Sequence, residues 1–279
     1  SLLYDSGPAW SLDARKDGRN AGFQHILPVL RRKGIQSINW LVVSHADLDH
    51  SGGALSLYRH LRIDEVLSGS SAIEPSLSGL PVKRCYRDQL LHSEAIGREA
   101  LRPASGQGEL EAKTRLSLLH PTGDTPNFQS KKVNRNAQSC VLLIEHKGRR
   151  ILLPGDLPSL QEASVLLQEP IYNHKALDLL LLGHHGAANS NSEPWLDYWR
   201  PLVAIAQSGY KNRYGHPHAE TLERLCRRGI ALKRTDLEGA IELRIMADGS
   251  MQWVSERQRN KRYWTRALMP MPSERCERR

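Results

Sequence analysis

Cysteine is scarce, aromatic residues are few and no long apolar run occurs in this 279-residue chain. The four cysteines, Cys85, Cys140, Cys226 and Cys276, stand far apart and form no Cys-x-x-Cys pair. That spacing excludes a thiolate zinc site and offers no disulfide framework, so buried free thiols are expected. Aromatic residues make up 6% of the chain, which leaves no dedicated base-stacking platform in view. No segment is long or apolar enough to span a bilayer, and none reads as a signal peptide. An acidic excess is also missing: the net charge is +9 and the pI about 9.5, which favours anionic partners such as nucleic acid or phosphate-rich substrates. Part of that charge sits in a tail holding Arg257, Arg259, Lys261, Arg262, Arg266, Arg275, Arg278 and Arg279, and such tails are more often solvated than functional. With 39% hydrophobic residues the chain can bury a sizeable core, which excludes a disordered protein.

Strand-like and helix-like segments alternate. Strands are expected at Leu2–Asp5, Ile38–Ser44, Glu65–Leu67, Leu116–His120, Val141–Glu145, Arg150–Leu153, Leu177–Leu182, Val203–Ala206 and Ala240–Ile245. Helices are expected around Ile26–Leu30, ending at Gly34, around Leu55–Leu61, and near Leu160–Leu167. Lys147-Gly148 reads as a hairpin turn. Residues 68–79, 102–108 and 121–136 read as loops, the last lining a site. One compact domain over 1–254 with a basic tail over 255–279 is expected. The chain opens without Met inside a strand-like stretch, so it reads as a piece of something longer that lacks its first strand.

Three strand ends carry the chemistry. The first is Leu41-Val42-Val43-Ser44-His45-Ala46-Asp47-Leu48-Asp49-His50-Ser51-Gly52-Gly53, where four metal-capable side chains fall within six residues. A strand ending in a turn can aim several side chains at one point. The second is Leu152-Leu153-Pro154-Gly155-Asp156, and the third is Leu181-Leu182-Gly183-His184-His185-Gly186. Each of the later two is weak alone, because a strand-terminal Asp is usually a turn or cap residue. Together they offer histidines and carboxylates able to hold two divalent ions, with an acidic oxygen between them.

His-x-Asp-x-Asp-His, then Gly-Asp, then His-His-Gly resembles the metallo-β-lactamase superfamily. Leu3-Tyr4-Asp5-Ser6-Gly7-Pro8, Leu119-His120-Pro121, Asn136-Ala137-Gln138-Ser139-Cys140, Asn212-Arg213-Tyr214-Gly215-His216-Pro217 and Thr235-Asp236-Leu237-Glu238-Gly239 narrow it. Over Leu2 to Trp253 the chain resembles the C-terminal hydrolase domain of ComEC-type DNA-internalisation competence proteins. The general superfamily has a second histidine where this chain has Asp47. Carboxylate in place of imidazole hardens the site toward Mn²⁺ or Mg²⁺.

The resemblance implies an α/β fold, an αββα sandwich of two mixed sheets flanked by helices. It implies two divalent ions, Mn²⁺ or Zn²⁺ with Mg²⁺ as a further option. His45 and Asp47 would hold one, Asp49, His50 and His185 the other, and Asp156 would bridge them. His120, Asp124 and Asn136 compete for the remaining ligand place. Asp5 would orient a ligand histidine. Asp49 would accept the water proton, while His184 and His216 would contact phosphate or protonate the leaving oxygen. Lys131, Lys132, Arg135, Asn136, Ser139, Lys211, Arg213 and Tyr214 would bind substrate, with Tyr210 beside them. A bland alternative makes His216 the cap of the helix after Pro217 and leaves His218 exposed. His25, His60, His92, His146 and His174 are expected at the surface.

The implied activity is nucleolytic removal of the non-imported DNA strand during natural transformation. Expected partners are single- or double-stranded DNA, the transmembrane portion of the same polypeptide and other uptake proteins, with the domain on the periplasmic side of a bacterial inner membrane. Two other classes stay open: a metallo-hydrolase of a small ester, thioester or phosphodiester, and a catalytically idle DNA-binding module. A β-lactamase is disfavoured by Asp47.

Overall fold

The apolar run ahead of the histidines forms β2 (Ser37–Val43), and Leu41, Val42 and Val43 are fully buried. The computed structural model describes residues 1–91, 114–122, 134–169 and 176–261. β2 lies between β1 (Leu2–Tyr4) and β3 (Arg62–Ser68), and β4 (Val82–Arg84) completes a four-stranded sheet in the order β1-β2-β3-β4. All three pairings are parallel, which accounts for a near-continuous apolar run where an alternating one would mark a half-exposed strand. Its core gathers Leu41, Val43, Ala46, Leu55, Val66 and Leu77, and each leucine-sized burial contributes roughly 1.5–3 kcal/mol.

Helices α1 (Leu27–Arg32), α2 (Leu48–Ser51) and α3 (Ala54–His60) serve this sheet. Between α2 and α3 the backbone meets the Ser6–Ala9 turn so closely that a Cβ on Gly52 would lie 2.2 Å from the Ala9 nitrogen. The contact lets the His50 carbonyl accept from Ser6 N at 2.8 Å and Ser6 Oγ at 2.7 Å. The loop over 68–79 holds a 3-10 turn at Pro75–Leu77. Buried Arg15 clamps it by donating to the carbonyls of Pro75 at 2.5 Å and Ser78 at 3.0 Å.

A second sheet takes β5 (Arg115–His120), β6 (Val141–His146), β7 (Arg149–Leu153), β8 (Leu179–Leu181), β9 (Val203–Ala206) and β10 (Ala231–Arg234) in the order β10-β9-β8-β7-β6-β5. β7, β8, β9 and β10 pair in parallel. Lys147 and Gly148 join β6 to β7 with φ of 49° and 76°, the two positive values of a tight hairpin turn. The remaining helices include α4 (Ser159–Leu166), α5 (Glu193–Trp199) and α6 (Ala219–Arg227), and β11 (Ile241–Ile245) and β12 (Met251–Ser255) form an antiparallel pair. The basic tail begins with a helical turn over Glu256–Arg259.

The described residues fall into two compact units. The first holds 1–91, 117–122, 134–142 and 154–157; the second holds 114–116, 143–153, 158–169 and 176–261. Two expectations are corrected. Among the described residues the cysteines are not free thiols: Cys85 and Cys140 form a disulfide with Cα atoms 6.0 Å apart, and Cys226 is disulfide-bonded as well. The pairing is invisible in the sequence because 55 residues separate the partners and only the fold brings them together. The helix after Pro217 is capped by His218, whose ring accepts from Glu220 N, so the cap is not His216.

Candidate metal centre

In the first unit two strand ends lie side by side. β1 hands the chain to Asp5 and β2 hands it to Ser44 and His45, because Tyr4 pairs with Val42 in register. The Asp5 carboxylate accepts from Ser44 N at 2.6 Å and Ser44 Oγ at 3.0 Å, and it meets His50 Nδ1 at 2.8 Å. A carboxylate can only accept, so His50 Nδ1 carries a proton. Ser44 Oγ gives its one proton to Asp5 and stands 3.1 Å from His45 Nδ1, which assigns a proton to that nitrogen too. Both rings are thereby fixed with Nε2 turned toward Asp156. His50 Nε2 is 3.1 Å from Asp156 Oδ1 and His45 Nε2 is 3.9 Å from Asp156 Oδ2, so each carboxylate oxygen serves one histidine.

His45, His50 and Asp156 are all buried, and their ligand atoms lie within 4.8 Å of one another. His45 Nε2 has no hydrogen-bond partner; the Asp47 carboxylate approaches it only to 3.6 Å. A buried lone pair between two carboxylates is an environment that a cation satisfies. The residues fit a divalent ion: two imidazoles with fixed tautomers and up to three carboxylates, counting Asp47 and half-exposed Asp49, whose Oδ2 is 3.8 Å from His50 Nε2.

Electrostatics follow the geometry. Burial pulls the His50 pKa down, but the charges of Asp5 and Asp156 outweigh it and hold it well above 6.5. The nearby His45 ring, with help from Arg135, holds the Asp47 carboxyl below its ordinary range against burial and the charge of Asp49. Arg135 donates to Asp47 at 3.4 Å and pairs with Glu74 at 3.0 Å. Burial takes His120 down to about 4; the ring is neutral, and its Nδ1 meets the Ser139 carbonyl at 2.8 Å.

The segment after β7 needs a special backbone. Gly155 has φ +59°, and a Cβ there would lie 2.8 Å from Ser44 Cβ and 3.0 Å from Ser139 Cβ. Only glycine fits without displacing the next residue, Asp156, whose amide donates to Ser139 Oγ at 3.1 Å.

In the second unit the turn after β8 carries His184 and His185 at φ of 51° and 55°, left-handed values that cost non-glycine residues free energy and need outside support. Asn191 supplies it by bonding Gly183 twice, Oδ1 accepting from Gly183 N and Nδ2 donating to Gly183 O, each at 2.9 Å. Buried Glu162 holds Asn191 in turn, accepting from Asn191 N at 2.6 Å and Ser192 N at 2.9 Å. Burial raises the Glu162 pKa despite these bonds. His185 Nδ1 meets the Gln207 carbonyl at 2.8 Å. The rings of His184 and His185 lie 5.8 and 6.3 Å from that of His216, and Tyr214 stacks on His216 at 5.9 Å.

A profile of the Metallo-beta-lactamase superfamily matches residues 1–206. The chain belongs to the metallo-β-lactamase superfamily. Its fold is that of the superfamily, whose members are metal-dependent hydrolases. ComE operon protein 3 of Bacillus subtilis is 32% identical over 88% of this chain and 29% of its own length. Competence protein ComA of Neisseria gonorrhoeae is 29% identical over 86% of the chain and 29% of its own length. Recombination protein 2 of Haemophilus influenzae is 29% identical over 88% of the chain and 26% of its own length. The expected resemblance to ComEC-type competence proteins is borne out. The chain spans less than a third of the length of these relatives.

The first unit brings together His45, Asp47, Asp49, His50 and Asp156. His120 does not join the buried group of three, and Asn136 sits in a 3-10 turn over Asn136–Gln138. Ser139, expected to bind substrate, is buried, its Oγ accepting from the Asp156 amide and its carbonyl meeting His120 Nδ1. The second unit groups His184, His185 and His216 with Arg213 and Tyr214, and Lys211 lies by Tyr210. Asp124, Lys131 and Lys132 lie outside the described residues, as do His92 and His174. His25 and His60 are exposed, and His146 is half-buried. Sequence reading missed Tyr4, Ser44, Glu162 and Asn191, whose roles come from partners distant in the chain.

Proposed function

We propose that this chain is a metal-dependent phosphodiesterase that cuts DNA during natural transformation, degrading the strand that is not imported. One observation supports it above the others: Asp156 turns one oxygen to each of two histidines whose other nitrogens are already committed. Two divalent ions, Mn²⁺ or Zn²⁺ with Mg²⁺ as an option, would activate water near neutral pH and neutralise a phosphodiester as it gains a fifth oxygen. His45 and Asp47 are assigned to one ion, Asp49 and His50 to the other, and Asp156 to both. The resemblance assigns His185 as a further ligand. Asp49, 54% exposed at its side chain, receives the proton of the attacking water, and His184 and His216 serve the phosphate and the leaving oxygen.

DNA is favoured as substrate by the surface of the second unit. Tyr210 and Tyr214 are 64% and 63% exposed. Lys211 and Arg257 lie 5.5 and 5.9 Å from the Tyr210 ring, and Arg213 lies 4.9 Å from that of Tyr214. Exposed rings flanked by cations suit bases and phosphates of a single strand. Names of the relatives, competence and recombination proteins, point the same way. We further place the chain on the periplasmic side of the inner membrane, beside the membrane portion of its own polypeptide. Its disulfides fit an oxidising compartment, and among the described residues no helix is long and apolar enough to cross a membrane.

The test is cleavage of end-labelled single- and double-stranded DNA with Mn²⁺, Mg²⁺, Zn²⁺ or EDTA, beside an Asp49→Ala/His50→Ala control. Metal-dependent cleavage that the control lacks is expected. Intact DNA together with hydrolysis of a small generic ester would replace this reading with a small-molecule hydrolase. Silence on every substrate, with DNA retained, would replace it with a binding module.

A further inference from the structure

The residues that hold the metal-ligand side chains in place meet at one short segment, Gln138-Ser139-Cys140. The Cys140 amide donates to the Ser44 carbonyl at 2.9 Å, between the end of β2 and His45. The Cys140 carbonyl accepts from Tyr4 Oη at 2.5 Å, one residue before Asp5. Ser139 Oγ accepts from the amide of Asp156 and Ser139 O is met by His120 Nδ1. The Gln138 carbonyl sits so close to Gly69 that a Cβ there would overlap it. The segment thus touches the supports of His45, His50, His120 and Asp156 at once. It has a single covalent tie, the bond from Cys140 to Cys85, which follows β4 and itself donates to the Ser68 carbonyl at 2.9 Å. Both cysteines are fully buried.

We propose that the Cys85–Cys140 disulfide is a positioning element of the metal centre: closed, it holds Ser139 and Cys140 where the ligands need them, and opened, it releases them. This rests on reading His45, His50 and Asp156 as metal ligands. Opening is a two-electron step. The Sγ–Sγ bond takes two electrons and two protons from a dithiol, which closes to its own disulfide, leaving two thiols on the protein. The sulfurs then separate to van der Waals distance within a packed interior, and the segment shifts with them. The metal centre is thereby matched to a compartment where disulfides persist.

Mn²⁺ is the probe, because thiolates bind it poorly. Its affinity is read from the spin-resonance signal of the free ion, for the oxidised protein and for protein reduced with a dithiol and desalted. Reduction also opens the bond at Cys226, so the C85A/C140V variant, which refills the two buried sites with apolar groups, isolates the pair. Circular dichroism confirms that each form is folded. Reduced protein and variant are expected to bind Mn²⁺ ~10-fold or more weakly, the scale seen when supports behind metal ligands are lost. Linkage gives a second readout that a bond serving only global stability would not move. The coupling is reciprocal, so Mn²⁺ must stabilise the closed bond by the same factor. The midpoint potential at Cys140, followed by alkylation in glutathione buffers, should fall by ~30 mV for each tenfold difference in affinity. Equal Mn²⁺ affinity of oxidised protein and folded variant, or a midpoint unmoved by Mn²⁺, overturns the proposal and leaves the metal centre standing. Failure of the oxidised protein to bind Mn²⁺ overturns both.

Discussion

Asp5→Asn tests the hydrogen-bond chain that orients both histidines. Asp5 has φ +61°, a left-handed value that asparagine tolerates and that would cost alanine about 1–2 kcal/mol, so asparagine changes charge without backbone strain. Its amide oxygen keeps the bond from Ser44 N. Its NH₂ group turns a donor toward Ser44 Oγ and His50 Nδ1, which both donate to the carboxylate now. Bonds to charged groups contribute about 1.5–3 kcal/mol each. Rotation of the Ser44 hydroxyl recovers part of one, so the metal-free variant should lose roughly 2–4 kcal/mol at pH 6.

The pH dependence has a definite sign. Asp5 and Asp156 hold the His50 pKa well above 6.5 against burial. A raised histidine pKa adds stability that is complete below the unfolded value and disappears as pH rises through the folded one. Asp5→Asn removes the larger of the two carboxylate charge effects on His50, so the stability gap between wild type and variant is widest near pH 6 and narrows as pH rises toward 9. Urea unfolding of EDTA-treated proteins at both pH values measures the gap. Mn²⁺ titration should show affinity reduced ~10- to 100-fold. A gap that stays flat or widens with pH would refute the assignment of His50 as the protonated partner of Asp5.

Gly155→Ala combines a left-handed φ of +59° with a Cβ 2.8 Å from Ser44 Cβ, so a loss of about 3 kcal/mol is expected; thermal unfolding should drop by several degrees, and an unchanged midpoint would contradict the close approach. Glu162→Gln addresses the support of the His184-His185 turn. Burial raises the Glu162 pKa above its ordinary 4.5, so its contribution is fully present below 4.5 and lost as pH rises through the folded value. Wild type should therefore gain stability relative to the glutamine variant as pH falls through that window, and a difference that shrinks instead would count against it.

What the sequence made legible was local. Val141–His146, Arg149–Leu153 and Val203–Ala206 could be placed because apolar runs end in turn residues, and His45 to His50 stood out because several ligand types followed one buried strand. β4 escaped notice because three residues, Val-Lys-Arg, carry neither length nor apolar pattern. α5 follows a Ser192 cap that no pattern singled out, and α6 is capped by His218, two residues on from the His216 of the bland alternative. Asp5 was readable as a turn residue that orients a histidine. Tyr4 and Ser44 were not, since an apolar strand gives no reason to single out one hydroxyl. Glu162 falls inside the helix expected near Leu160–Leu167 without being singled out, yet it is 1% exposed and bonds residues 29 and 30 positions away. Periodicity reports which face is buried, not which distant backbone amide a buried carboxylate will meet.

Metal removal is the most direct check on the centre, and its magnitude can be set in advance. His45 Nε2 is buried, lacks a hydrogen-bond partner and faces carboxylates at 3.6 and 3.9 Å. An unsatisfied buried acceptor costs about 1–3 kcal/mol, so the metal-free fold carries a defect that an ion relieves. An ion that binds only the folded chain adds ~2.7 kcal/mol of stability at a hundredfold excess over its dissociation constant. For a chain of this size that is a rise of roughly 5–10 °C in Tm. His45→Ala removes the lone pair together with the ligand. The variant should remain folded with EDTA, losing roughly 1–3 kcal/mol from the cavity offset by removal of the defect, and its Tm should respond to Mn²⁺ by no more than half the wild-type rise. An equal Mn²⁺-dependent rise in wild type and His45→Ala would show that the ion binds elsewhere, and the orphaned nitrogen would then need a different explanation.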